Sequence, residues 1–117
     1  MAVLRVVSDF FAEDPQGLAR FYEDLLGLDI AMNMDFVVTL GGAASQTPQV
    51  SFMREGGSGA PVPALSIEVD NLDEVLAKVR DMAAPIEYGP VLKPWGVRRF
   101  FLRDPAGRLL NILTHME

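Results

Sequence analysis

The order of elements, read twice along the chain, constrains the fold more than any single motif. Residues 2–12 are mostly apolar and β-prone, which predicts a strand. In the following "EDPQGLARFYEDLLGLDI", Asp14 is placed to cap a helix, Pro15 to open it and Gly27 to stop it. Between them Leu18, Phe21, Tyr22, Leu25 and Leu26 recur at helical spacing. Next, "LDIAMNM", "FVVTLGG" and "PQVSFMRE" read as three short strands separated by turn residues. The clearest break is "GGSGAPVP", residues 56–63, where glycine, serine and proline dominate. After it the order restarts. "ALSIEVD" alternates, with Leu65, Ile67 and Val69 on one face and Ala64, Ser66 and Glu68 on the other. "NLDEVLAKVRDM" predicts a second amphipathic helix, capped by Asn71, with Leu72, Val75, Leu76 and Val79 on one stripe. Three more strands follow in "PIEYGPVL", "VRRFFLRD" and "RLLNILTH", and residues 105–107 turn the last pair.

The chain therefore reads β-α-β-β-β twice, as one domain over residues 1–117, with module one at about 1–55 and module two at about 62–117. The two halves share almost no sequence identity, so what repeats is the order of elements. Strands outnumber helices, and each helix belongs to one side of its strands. The predicted fold class is α+β: two βαβββ modules forming a curved mixed sheet, helices on one face and a cup on the other.

Composition narrows the function. Sixteen acidic residues stand against ten Lys and Arg, a net charge of −6, and no basic run exists. A nucleic-acid role is disfavoured on those grounds, and an acidic surface suits cationic ligands or simple solubility. Cysteine is absent, which excludes disulfides, thiolate metal sites and cysteine nucleophiles. The opening "MAVLRVVSDFF" lacks the order of a signal peptide, and no apolar run approaches the roughly 20 residues a membrane span needs. A soluble cytoplasmic protein is the expectation. Hydrolysis by a nucleophilic serine is poorly supported without a G-x-S-x-G elbow, and "GGSGAP" lacks the lysine of a phosphate loop.

Strand alternation assigns the lining of the cup. If Val50 and Phe52 pack under the first helix, Gln49, Ser51 and Met53 face the cup. By the same rule Ser66 and Glu68 line it from the strand after the break. Arg99 and Phe101 do so from the seventh strand, and Leu109, Asn111 and Leu113 from the last. Such a wall, mixing small, amide, aromatic and charged side chains, suits a ligand pocket with a few polar anchors.

Three segments, "LARFYEDLLGLDI", "LSIEVDNLDEVLAKV" and "PWGVRRFFLRDPAGRLLNIL", together resemble the vicinal oxygen chelate superfamily of glyoxalase I, extradiol dioxygenases and bleomycin-resistance proteins. The resemblance spans nearly the whole chain. Its most specific part is W-G-x-R-x-F-x-x-x-D-P-x-G, carried by Trp95, Gly96, Arg98, Phe100, Asp104, Pro105 and Gly107. Enzymes of this group hold a divalent metal with His and Glu from the first and last strand of each half. Here Ala64 stands where His usually opens the second half, and Asn111 stands in place of the terminal Glu. Gln49 or Ser51 falls at the other Glu position, and the first strand offers Val7, Ser8 or Asp9. Alanine has no lone pair to give, and a neutral amide oxygen is a weak ligand for transition metals. No metal, no cofactor and no catalytic residue is expected on this reading.

The resemblance implies a homodimer, and the first function it suggests is a metal-free binding protein. Such a protein sequesters a cationic or aromatic antibiotic using Ser51, Met53, Ser66, Glu68, Trp95, Arg99, Phe101 and Asn111. The alternative is a metal-dependent or atypical lyase, isomerase or dioxygenase with Glu68 as base. A third class is a purely structural or regulatory partner domain. Competing roles stay open for several residues. Trp95 stacks on a planar ligand or covers the sheet edge, and Arg98 and Arg99 bind an anion or form ion pairs. Glu68 anchors a ligand or pairs with Arg99 or Arg103, and His115, two residues from the end, is expected to be partly exposed.

Overall fold

The computed structural model describes residues 1–42 and 49–116. Ten elements follow in the order β1 (Val3–Phe11), α1 (Pro15–Leu26), β2 (Asp29–Met34), β3 (Val37–Gly41), β4 (Gln49–Met53), β5 (Leu65–Val69), α2 (Leu72–Asp81), β6 (Ile86–Lys93), β7 (Val97–Arg103) and β8 (Leu109–His115). The class is α+β with strands in mixed sheet, as the repeated order of elements predicts. Pro48, at the head of the expected fourth strand, lies outside the described residues. Among the described residues no helix is long and apolar enough to cross a membrane.

Two compact units make up the chain. The first is Val7–Val62; the second is Pro63–Glu117 together with Met1–Val6, so β1 is divided between them. In the first unit the strands lie in the order β2-β3-β4-β1, with β1 parallel to β4 and the other neighbours antiparallel. In the second the order is β1-β5-β8-β7-β6, with β5 parallel to β8 and β6-β7-β8 antiparallel.

Local chemistry sets the helix ends. Asp14 Oδ1 accepts from the Gly17 N–H at 3.1 Å, Pro15 sits in the first turn, and Gly27 closes α1 at φ 66°. Asn71 Oδ1 accepts from the Glu74 N–H at 3.2 Å to start α2. Asp73 and Glu74 in its first turn, with Lys78 and Arg80 in its last, complement the helix dipole.

Each helix covers one face of its own strands. Leu72, Leu76 and Val79 of α2 pack on Val69, Phe100 and Ile112, with Ile67, Leu102 and Leu110 at the margin. Ala19 of α1 packs on Val38, Leu40 and Phe52, and the Tyr22 ring stacks on Phe52 with centroids 5.0 Å apart. The apolar stripe expected on α1 is split: Ala19 and Tyr22 face the strands, whereas Leu18, Phe21 and Leu25 remain exposed, Phe21 by 58% and Leu25 by 62%. A small alanine at the contact lets the helix sit close to β3 and β4, which turns the bulkier residues one step round the helix away from the sheet.

Leu76 is 2% exposed at the centre of the second core. We expect Leu76→Ala to lower unfolding free energy by about 2–5 kcal/mol, from lost burial and the cavity left behind. Urea denaturation checks this, and a loss below about 1 kcal/mol contradicts the packing described.

Candidate functional site

With one face of each unit taken by its helix, the other faces carry the polar and aromatic residues. Strand register arranges those of the second unit in rows. Tyr88, Phe101, Asn111 and Ser66 lie side by side across β6, β7, β8 and β5. Beside them run Val91, Arg99, Leu113 and Glu68, and beyond these Lys93, Val97 and His115.

Arg99 is the centre of this face. Its side chain is only 3% exposed, and its guanidinium carbon lies 4.9 Å from the Phe101 ring centroid and 5.3 Å from those of Tyr88 and Trp95. Aromatic faces stabilise a cation that has given up water. Phe101 and Tyr88 touch each other as well, with centroids 5.1 Å apart. The close approach of β6 depends on Gly89, which takes φ 81°, and a Cβ there would stand 2.5 Å from the Arg99 carbonyl oxygen.

Lys93 reaches into the same cluster. Its Nζ donates to Tyr88 Oη at 3.0 Å and lies 5.8 and 5.5 Å from the Tyr88 and Trp95 ring centroids. The hydrogen bond from Lys93 holds the Tyr88 hydroxyl below the usual tyrosine range; burial opposes this, and Arg99 adds to it. One row across, Asn111 Nδ2 donates to Ser66 Oγ at 3.1 Å. Asn111 Oδ1 is buried without a hydrogen-bond partner, a costly state for an acceptor.

Glu68 differs from expectation. The sequence pointed to Arg99 or Arg103 as its ion-pair partner, but Glu68 Oε1 accepts from Arg5 Nε at 3.0 Å and Oε2 meets His115 Nδ1 at 2.9 Å. Arg103 instead pairs with Glu87 at 2.6 Å, and Arg98 with Asp73 at 2.8 Å. Arg103 and Arg98 sit near strand ends where exposed acids of β6 and α2 lie closer. Each oxygen of Glu68 thus has one partner within the chain.

In the first unit the corresponding face is lined by Asp9, Ser51 and Thr39 in one row, all buried, with Met53 and Val37 in the next. Thr39 and Ser51 share a hydrogen bond of 2.7 Å. The eight residues singled out from the sequence therefore divide. Ser51 and Met53 belong to the first unit, while Ser66, Glu68, Trp95, Arg99, Phe101 and Asn111 belong to the second. Sequence reading missed Tyr88, Lys93 and Arg5. A regular strand alternation hides Tyr88 and Lys93, because β6 slips register against β7 between Ile86 and Tyr88 and again between Tyr88 and Val91.

The donor set does not fit the divalent metal of the superfamily's enzymes. Among the described residues no three His, Asp or Glu side chains cluster closely enough to share an ion. Asn111 and Ser51 offer neutral oxygens, and Glu68 and His115 are bound to each other. A separate cleft of about 490 Å³ opens between α1 and β2, lined by Gln16, Arg20, Glu23, Asp24 and Asn33. Its Gln16 amide already donates to the Met34 carbonyl at 2.9 Å, and it has no aromatic wall.

This fold, with its doubled βαβββ order and a polar face opposite each helix, has known counterparts. The model of the Glyoxalase/Bleomycin resistance protein/Dioxygenase superfamily matches residues 4–112, and the chain belongs to that superfamily. Among solved structures it is similar to an NAD-dependent benzaldehyde dehydrogenase from Legionella pneumophila, with TM-score 0.76, 19% identity and coverage of 95% of this chain and 99% of that one. A superfamily member from Vibrio splendidus 12B01 aligns with TM-score 0.69 and 19% identity over 98% of this chain and 100% of that one. A single-residue variant of Streptomyces coelicolor methylmalonyl-CoA epimerase, in complex with 2-nitronate-propionyl-CoA, aligns with TM-score 0.74 and 16% identity over 97% of this chain and 96% of that one. At these identities the likeness establishes the fold alone. No curated protein sequence matches the chain.

The Lys93–Tyr88 bond has a direct signature. In a Tyr22→Phe background, where Tyr88 is the remaining tyrosine, ultraviolet difference absorbance reads its ionisation alone. Loss of the cation in Lys93→Met removes stabilisation of the phenolate, so the Tyr88 titration moves to higher pH. An unchanged midpoint contradicts the contact.

Proposed function

We propose that this protein binds a small aromatic molecule without a metal ion, in the manner of the bleomycin-resistance branch of its superfamily, and sequesters it without a covalent step. An aromatic antibiotic is the ligand type. The protein works as a cytoplasmic homodimer. The observation that carries this reading is the cluster of Tyr88, Trp95 and Phe101 rings, placed on the strand face that no helix covers and held around cationic side chains. Tyr88 and Trp95, both partly exposed, offer stacking area, whereas Phe101 is buried against Arg99 and supports the wall from beneath; the Asn111 Oδ1 is an acceptor left open to any ligand N–H or O–H that reaches it. The Streptomyces coelicolor epimerase of the same fold is in complex with a small molecule, 2-nitronate-propionyl-CoA.

Of the two ligand types suggested by the sequence, the aromatic one suits these rings. A cationic ligand loses its anchor, because Glu68 already serves Arg5 and His115. Absence of a metal rests on residue chemistry: by the resemblance, Ala64, Asn111 and either Gln49 or Ser51 stand where the superfamily's enzymes carry His and Glu. The dimer draws support from the first unit. There Phe10, Leu18, Phe21 and Leu25 leave 55%, 36%, 58% and 62% of their surfaces exposed. Bare apolar surface of this kind marks an association surface.

Two experiments test the proposal. In a melting screen, aromatic antibiotics raise Tm with dose, since a ligand that binds only the folded chain stabilises it by about 2.7 kcal/mol at a hundredfold excess over Kd. Zn²⁺, Ni²⁺, Fe²⁺ and Mn²⁺ leave Tm unchanged. A metal present at one per chain after purification, or a metal-dependent rise in Tm, moves the assignment to a metalloenzyme. In sedimentation equilibrium the native protein has twice the chain mass, and Phe21→Glu combined with Leu25→Glu returns it to one. A native monomer overturns the dimer.

A further inference from the structure

We propose that Lys93 and Tyr88, backed by Trp95, form an anion subsite, so that the ligand carries a carboxylate or another oxyanion on its planar group. This inference rests on the ligand-binding reading above and names the chemistry of its ligand.

The argument begins with ion pairing in an acidic protein. The chain has sixteen acids for ten Lys and Arg, and the neighbouring cations have found them. Arg5 pairs with Glu68, Arg98 with Asp73, Arg103 with Glu87 and Arg108 with Asp104. Lys93 is half-buried, yet among the described residues no carboxylate lies within ion-pair distance of its Nζ. Its environment is made of π-faces and a phenol. The rings offset part of the hydration this ammonium has lost, and a bound anion would supply the counter-ion that it lacks among the described residues.

Donor geometry agrees. An ammonium has three N–H groups, and one is used on Tyr88 Oη. Two remain. Tyr88 Oη accepts from Lys93, and its O–H keeps the capacity to donate. An oxyanion at this point gains charge-assisted hydrogen bonds from both side chains. The Tyr88 and Trp95 rings beside Lys93 are the same two that Arg99 approaches, so the surroundings of the ammonium are aromatic rather than acidic, despite the protein's net charge of −6. The Lys93 hydrogen bond that holds the Tyr88 hydroxyl below the usual tyrosine range acts in the same sense, favouring negative charge on an oxygen at this point. A planar group joined to the anion would then lie against Trp95.

Trp95 is the only tryptophan, so its fluorescence reports this position alone. Four probes of one shape separate the possibilities: benzoate, phenylphosphonate, the neutral benzamide and the cationic benzylammonium, each titrated to about 20 mM, well above the millimolar Kd range of weak fragments. The expected result is a saturable change of Trp95 emission with benzoate or phenylphosphonate, and affinity at least about tenfold lower for benzamide and benzylammonium. A stronger response to benzoate assigns a carboxylate, and a stronger response to phenylphosphonate assigns a phosphate-like group. Lys93→Met, which keeps the apolar stem, removes the preference for anions while Tm stays within a few degrees of native; Lys93→Arg keeps it. Equal or tighter binding of benzamide or benzylammonium overturns the anion subsite but leaves the ligand-binding reading standing. So does a preference for anions that survives in Lys93→Met. Silence of all four probes overturns both.

Discussion

A single amphipathic helix can bury one face of a short sheet and no more. In each unit that constraint divides every strand into residues that pack and residues that must find another use. The second unit shows the consequence most clearly. Phe100, Leu102, Leu110 and Ile112 are held under α2, so their neighbours Arg99, Phe101, Leu109, Asn111 and Leu113 turn to the opposite face by the period of the strand. The polar and aromatic character of that face therefore follows from the same alternation that makes the core.

What the face then does depends on how its charges are matched. Glu68 is satisfied inside the chain, bridged by Arg5 from the start of β1 and His115 from the end of β8. These contacts join residues 63 and 47 positions apart, and with the Asp70 contacts to Ala2 they fasten the N-terminal segment to the second unit. Lys93 lies among rings and a phenol, and Arg99 packs on the same rings, which makes this wall aromatic on a chain that is negative as a whole. Among the described residues no three His, Asp or Glu side chains cluster closely enough to share an ion, and under the proposed function recognition falls to stacking and hydrogen bonding instead.

Much of this fold is legible in the sequence because its signals are local. Asp14, Pro15, Gly27 and Asn71 announce helix ends through backbone rules that act within four residues, and each occupies the role its chemistry suggests. Alternation in "ALSIEVD" and "RLLNILTH" assigns faces without knowledge of partners. The contents of the site are less legible, for reasons that are equally physical. The partners of Glu68 lie far off in sequence, and ion pairing is settled by tertiary distance. Tyr88 and Lys93 reach Trp95 through an irregular strand, where counting by twos fails. The exposed Phe21 and Leu25 show a third limit: helical spacing identifies an apolar stripe, but Ala19 decides which edge of it meets the sheet.

The central claim is that the helix-free face of the second unit is where a ligand sits. Amide and indole chemical-shift mapping on ¹⁵N-labelled protein titrated with benzoate tests it most directly. The account predicts shifts concentrated at Tyr88, Lys93, Trp95, Arg99 and Phe101, with Leu72, Leu76 and Val79 of α2 unmoved. Shifts centred on Gln16, Arg20 and Asn33, in the cleft beside α1, would contradict it.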